Sequence, residues 1–138
     1  MITDRELWVS QQQALTTGTQ YSNSYDLGLA RDMGIGTAVR AVVNVSTTFT
    51  GGTNETFNLV QSANSDLSSP DILLAVGPTV EASLTAGTRV MDVVVPRTTK
   101  RYVGFQYVAS GTHGAGAVDG LFVLNNTSPD SFPVETGR

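Results

Sequence analysis

Residues 38–49 alternate apolar and polar side chains with a period of two. Val39, Ala41, Val43, Val45 and Phe49 fall on one side, and Arg40, Asn44, Ser46 and Thr48 on the other. An extended chain projects successive side chains to opposite faces, so this pattern predicts a half-buried strand. Val42 interrupts the polar row and predicts a partner or a covering loop on the outward face. Gly51, Gly52, Thr53 and Asn54 then read as a turn. Residues 55–61 alternate again, with Phe57 and Leu59 on one face, so the two runs predict a hairpin.

Residues 62–71 have loop composition. The run Ile72, Leu73, Leu74, Ala75, Val76 is short enough for a strand, ended by Gly77 and Pro78. Residues 79–84 are ambiguous, and Gly87 marks a turn. Residues 88–95 are rich in β-branched side chains and stop at Pro96. Residues 101–109 place Val103, Phe105, Tyr107 and Ala109 on one face. A glycine-rich, turn-like stretch at 110–116 precedes a last strand at 117–124. Weaker strands are read at 7–15 and 24–27, and a tight connection at 28–36.

This gives about eight strands and no convincing long helix, an all-β chain. A single flat sheet of that size would leave one face wet, and the chain has too many apolar residues for that. Two packed antiparallel sheets bury both inner faces, so the expected fold is a β-sandwich over residues 1–124. Periodicity alone leaves a jelly roll, an immunoglobulin-like sandwich and a small barrel open. Residues 125–138 have the composition of a C-terminal extension. They include Phe132 and Val134, which a purely solvated tail would not need.

Composition narrows the chemistry. The 138 residues contain no cysteine, which excludes a disulfide framework, thiol catalysis and cysteine-ligated metals. Eight basic and twelve acidic residues leave a net charge of −4, and the basic residues form no cluster longer than Lys100 with Arg101, so no nucleic-acid surface is expected. Charged residues make up 14% of the chain, against about 25% in an average domain. A neutral surface rich in hydroxyls and amides follows, and such a surface costs little to desolvate at a contact. No apolar run reaches the length of a membrane helix, and the opening residues lack the pattern of a signal peptide.

Candidate catalytic groups are few. The sole histidine, His113, lies in a glycine-rich stretch with no carboxylate nearby before Asp119, which predicts an exposed turn residue. Asp66 with Asp71, and Asp92 with Glu81, are the candidate carboxylate pairs. No calcium-loop, nucleotide-loop or nucleophile-elbow spacing occurs. The expectation is a protein that is not an enzyme and has no metal or other cofactor. Aromatic residues at peripheral elements are reasonable contact anchors. Ile2, Trp8, Phe132 and Val134, all near the termini, are the candidate interface residues.

Several segments carry a resemblance. They are Met1-Ile2-Thr3-Asp4, then Tyr25-Asp26-Leu27-Gly28-Leu29-Ala30-Arg31-Asp32-Met33-Gly34-Ile35-Gly36, then Val43-Asn44-Val45-Ser46-Thr47-Thr48-Phe49 and Leu59-Val60-Gln61-Ser62. Val95-Pro96-Arg97-Thr98-Thr99-Lys100-Arg101-Tyr102-Val103-Gly104-Phe105-Gln106-Tyr107 and residues 116–124 complete the series. In this order, over residues 1–124, they resemble the capsid cement (decoration) proteins of tailed bacteriophages. The resemblance implies a jelly-roll sandwich made in the bacterial host cytoplasm and carried on the outer surface of the icosahedral head. It further implies a homo-oligomer, a dimer before a trimer, bound to a shell of HK97-like major capsid protein, with no nucleic-acid or membrane partner. The alternative function is a carbohydrate-binding or receptor-binding module of a virion, since sandwiches of this kind host both.

Overall fold

The computed structural model describes residues 7–31 and 39–124. They form seven strands: β1 (Trp8–Ala14), β2 (Thr17–Tyr21), β3 (Tyr25–Asp26), β4 (Val39–Ser62), β5 (Asp71–Val80), β6 (Arg89–Val94) and β7 (Tyr102–Leu124). One 3-10 turn, Glu81–Ser83, follows β5. All pairings are antiparallel.

The two long strands organise everything else. β4 and β7 pair along their whole lengths, from Val39 opposite Leu124 to Ser62 opposite Tyr102. Midway, between Val45 and Asn54, the register slips four times in succession. Such bulges bend a strand and increase its twist. Gly51 and Gly111 occupy left-handed φ values of 90° and 84° there, which a side chain would disfavour. The ribbon therefore turns a corner, and the single sheet folds onto itself as two packed halves.

In the first half the order is β1, the second part of β7, the first part of β4, then β6. In the second half it is β2 with β3, the first part of β7, the second part of β4, then β5. Counting each long strand once per half and β2 with β3 as one edge, the orders become 1-8-3-6 and 2-7-4-5. These are the two Greek keys of a jelly roll. The expected all-β sandwich of jelly-roll type is the fold observed.

The core lies between the halves. Val39, Ala41, Val43, Val45 and Phe49 are buried there, as the alternation required. Phe105 from one half stacks on Phe122 from the other at 5.2 Å, with planes 12° apart. Phe57 meets Tyr107 edge-on at 6.0 Å. Tyr107 reaches across the core, where its hydroxyl and Ser10 Oγ lie 2.8 Å apart. Truncating a fully buried aromatic such as Phe105 costs about 3–5 kcal/mol.

Three expectations are corrected by this architecture. Residues 38–49 and 55–61 do not form a hairpin; they are one strand, and Gly51 and Gly52 are its bend. The glycine-rich residues 110–116 are likewise the bend of β7 rather than a turn between strands. β5 does not stop at Gly77 and Pro78 but continues through their cis peptide bond to Val80. Among the described residues it pairs with β4 alone, so a proline without an N–H is tolerated on that edge. β2, composed of Thr17-Gly18-Thr19-Gln20-Tyr21, has no apolar alternation and was not anticipated; its ladder to β7 holds it in place.

Candidate interaction surface around Trp8

The outward face of the first half carries a row of residues set by register. Trp8 lies opposite Leu121, Leu121 opposite Val42, and Val42 opposite Asp92. Their strands alternate, so they point away from the core that receives Ala41, Val43 and Phe122. Val42, Leu121 and Val123 form a second apolar cluster, each buried to 1%, 2% and 3% exposure, with Trp8 packed against them. The valine that breaks the polar row in the sequence thus has an apolar setting on the outward face.

Trp8 itself is half-buried. Its strand is kinked by register slips between Trp8 and Ser10 and between Ser10 and Gln13. The kink puts Gln12 at a φ of 46° and lets its N–H donate to the Asp119 carboxylate at 2.7 Å. Two open depressions share Trp8 as a wall. One, of about 500 Å³, is also lined by Gln11, Gln13, Tyr21 and Asn23. The other, of about 420 Å³, is lined by Gln11, Gln12 and Asp119. Gln13 is tied down, accepting from Ser10 Oγ at 2.7 Å and donating to the Tyr21 carbonyl at 2.9 Å. The result is an indole set in a collar of amides with one carboxylate. It suits an apolar anchor with adaptable hydrogen bonds around it.

At the other end of the row the charges are matched. Asp92 accepts from Arg40 Nε at 2.6 Å and from Arg89 at 3.1 Å. Partial desolvation works to raise the Asp92 pKa, but the two guanidinium groups prevail and hold it below the usual carboxylate range. Val94, whose strand partner is Arg40, is exposed beside them.

Of the four predicted interface residues, Trp8 has this setting. Ile2, Phe132 and Val134 lie outside the described residues, as does the C-terminal extension 125–138.

Each member of the candidate catalytic pairs is engaged by a group outside its pair. Asp71 pairs with Lys100 at 2.7 Å, and Asp66 accepts the Ser68 N–H at 2.9 Å. Asp92 is engaged by arginines while Glu81 lies at the corner. Among the described residues, no group of three or more His, Asp or Glu side chains is placed to hold a metal ion.

The expectation for His113 is overturned. It is 2% exposed, with its ring edge-on to Phe49 at 4.9 Å. Its Nε2 lies 3.1 Å from Glu55 Oε2, and its Nδ1 lies 3.5 Å from Glu81 Oε2. Desolvation pushes the Glu55 carboxyl up to about 7. Glu55 stands 58 residues away in sequence. Only the fold at the corner brings these groups together, and the glycines that read as a turn are the space the ring occupies.

A family model, that of Bbp16, matches residues 9–122 of the chain. No curated protein matches it.

Proposed function

Starting from a chain that belongs to the Bbp16 family, with most of its length matched, we propose that the protein is a cement protein of a bacteriophage head. It binds the outer surface of a shell of HK97-like major capsid protein, acts as a homodimer, and stabilises the head against the pressure of packaged DNA. The observation that carries this reading is the half-buried Trp8, seated on the covered cluster of Val42, Leu121 and Val123, with Asp92 between two arginines and the exposed Val94 at the other end of the row. The half-exposed indole with its collar of amides, and the exposed Val94 beside the matched charges, offer a contact area rather than a cleft for chemistry, while the covered cluster beneath holds the indole in place. The amides around Trp8 lose little on desolvation if the partner offers hydrogen bonds in return. Single contacts of this kind are modest, but a capsid repeats them over a lattice, and linked weak contacts add up to avidity. The resemblance of residues 1–124 to cement proteins supports the same reading.

The test uses shells prepared without this protein. Wild-type protein is expected to co-sediment with them and to raise the temperature at which DNA-filled heads rupture. Trp8→Ala is expected to bind at least about 30-fold more weakly, the scale of an interface hot spot, with its far-UV circular dichroism retained. Failure of the wild type to co-sediment, or stripped heads as heat-resistant as complete ones, overturns the proposal.

A second reading rests on the same tryptophan. An indole between two open depressions, one lined by Gln11 and Asn23 and the other by Gln11 and Asp119, is also a platform on which a sugar ring could stack. Binding on a glycan array, with no co-sedimentation on shells, would favour a carbohydrate- or receptor-binding module instead.

A further inference from the structure

We propose that Glu55, His113 and Glu81 form a one-proton latch that fastens the 3-10 turn Glu81–Ser83 to the corner of the sandwich, closed while Glu55 and His113 share a proton and open once it is lost.

The geometry places one imidazole between two carboxylates. Nε2 faces Glu55 Oε2 at 3.1 Å and Nδ1 faces Glu81 Oε2 at 3.5 Å. The ring and Glu55 are enclosed, at 0% and 1% side-chain exposure, whereas Glu81 is at 25%. Glu81 Oε2 also accepts the Gly52 N–H. Gly52 lies flat against the ring, where an added Cβ would come within 2.3 Å of both Cε1 and Nδ1. The turn is joined to the same corner through the Phe49 N–H, which donates to the Leu84 carbonyl at 3.0 Å, and through the Ala86 N–H on Thr48 Oγ1.

The proton count follows from these positions. With one shared proton there are two arrangements. Either neutral Glu55 donates from Oε2 to Nε2, or protonated His113 donates from Nε2 to ionised Glu55. In both, Nδ1 carries its hydrogen on the side of Glu81, whose Oε2 lies 3.5 Å away without forming a hydrogen bond, so the attraction there is electrostatic. The buried Glu55 Oε1 has no hydrogen-bond partner. An orphaned oxygen is less costly on a neutral acid than on a buried carboxylate, which favours the first arrangement. The upward displacement of the Glu55 titration by burial agrees with it.

Removing the shared proton leaves the ring a single N–H for two ionised carboxylates. One lone pair must then face an anion at close range. Glu55 is sealed inside and has nowhere to go. Glu81 is partly exposed, so it swings into water, releasing the Gly52 N–H and loosening the turn. Among the described residues, the titratable groups facing the ring are Glu55 from β4 and Glu81 from the turn. Tyr107 on β7 is coupled electrostatically to Glu55, and burial keeps its phenol protonated.

The experiment is NMR on the full chain, whose single histidine makes the ring resonances unambiguous. Amide protection factors, corrected for the intrinsic pH dependence of exchange, are followed between about pH 5 and 9. Gly52 protection is expected to fall about tenfold or more, with the same midpoint as the Glu55 carboxyl carbon. The Phe105 N–H, which donates to buried Ser22 Oγ at 2.8 Å, should stay protected and serves as the core reference. Glu55→Gln supplies a permanent donor to Nε2, so Gly52 should remain protected at every pH. Glu81→Gln removes the second anion and should also flatten the profile. The proposal is overturned if Gly52 protection does not change as Glu55 titrates. It is equally overturned if Phe105 loses protection in parallel, or if both variants keep the wild-type pH dependence.

Discussion

Substituting Gly120 probes the packing of the two halves directly. Gly120 sits opposite Val43 on β7, and a Cβ built there would lie 2.7 Å from the Tyr107 hydroxyl and 3.0 and 3.1 Å from two ring atoms of Phe105. Tyr107 and Phe105 belong to the other half of the sandwich. The φ of Gly120 is not left-handed, so alanine is acceptable to the backbone and the cost is steric. Overpacking of a tight core costs about 1–3 kcal/mol. Reduced freedom of the unfolded chain returns about 0.5 kcal/mol. A net loss of about 2 kcal/mol is therefore expected for Gly120→Ala. Tyr107→Phe removes the atom that is closest to the new methyl, along with a buried hydrogen bond to Ser10 Oγ. Ser10 keeps Gln13 as a partner, so this change alone should cost about 1 kcal/mol. Independent effects would sum to about 3 kcal/mol. Because the hydroxyl is the principal obstacle, the double variant should instead lose only about 1.5 kcal/mol, a coupling of similar size. Urea unfolding followed by Trp8 fluorescence measures all three, and each kcal/mol corresponds to about 4 °C in Tm for a domain of this size. Additivity within about 0.5 kcal/mol would refute the face-to-face placement of Gly120 and Tyr107.

Three further outcomes follow from individual sites. Glu55 is pushed up to about 7 from an ordinary value of 4.5, so between these pH values the folded chain holds a proton that the unfolded chain has lost. Unfolding free energy should therefore fall as pH rises through that window, by roughly 3 kcal/mol, and Glu55→Gln should flatten this component in urea titrations repeated across pH. Asp26 is held down at about 2, first by its side-chain bonds from Arg101 and then by the Gly28 N–H. Its contribution is lost only as pH falls through that value; carbon-detected NMR should find its pKa near 2 and moving upward in Arg101→Gln. Gly116 has a φ of 148°, and a Cβ there would come within 2.5 Å of the Phe49 ring. Gly116→Ala should cost about 3 kcal/mol, and Phe49→Leu in the same chain should recover only part of it, since the backbone strain remains; thermal unfolding of the pair checks this.

Much of the interior was legible in the linear pattern. A period of two is a local property of extended chain, so Val39, Ala41, Val43 and Val45 declared their common face without reference to any partner, as did Val103, Phe105 and Tyr107. The outward orientation of Val42 was legible for the same reason, and with it part of the covered cluster against which Trp8 packs. What joins these faces was not local. Gly51 and Gly52, like the glycines of residues 110–116, are compatible with a tight turn or a bend within one strand, and only the continuous ladder between β4 and β7 selects the bend. β2 carries no apolar signature and exists because an edge of β7 offers it hydrogen bonds. His113 lies beside glycines in sequence but beside Glu55 and Glu81 in space. Side-chain alternation is written into the chain residue by residue, whereas strand partners, the corner and the neighbours of a buried imidazole depend on contacts between segments far apart, which no short window of sequence contains.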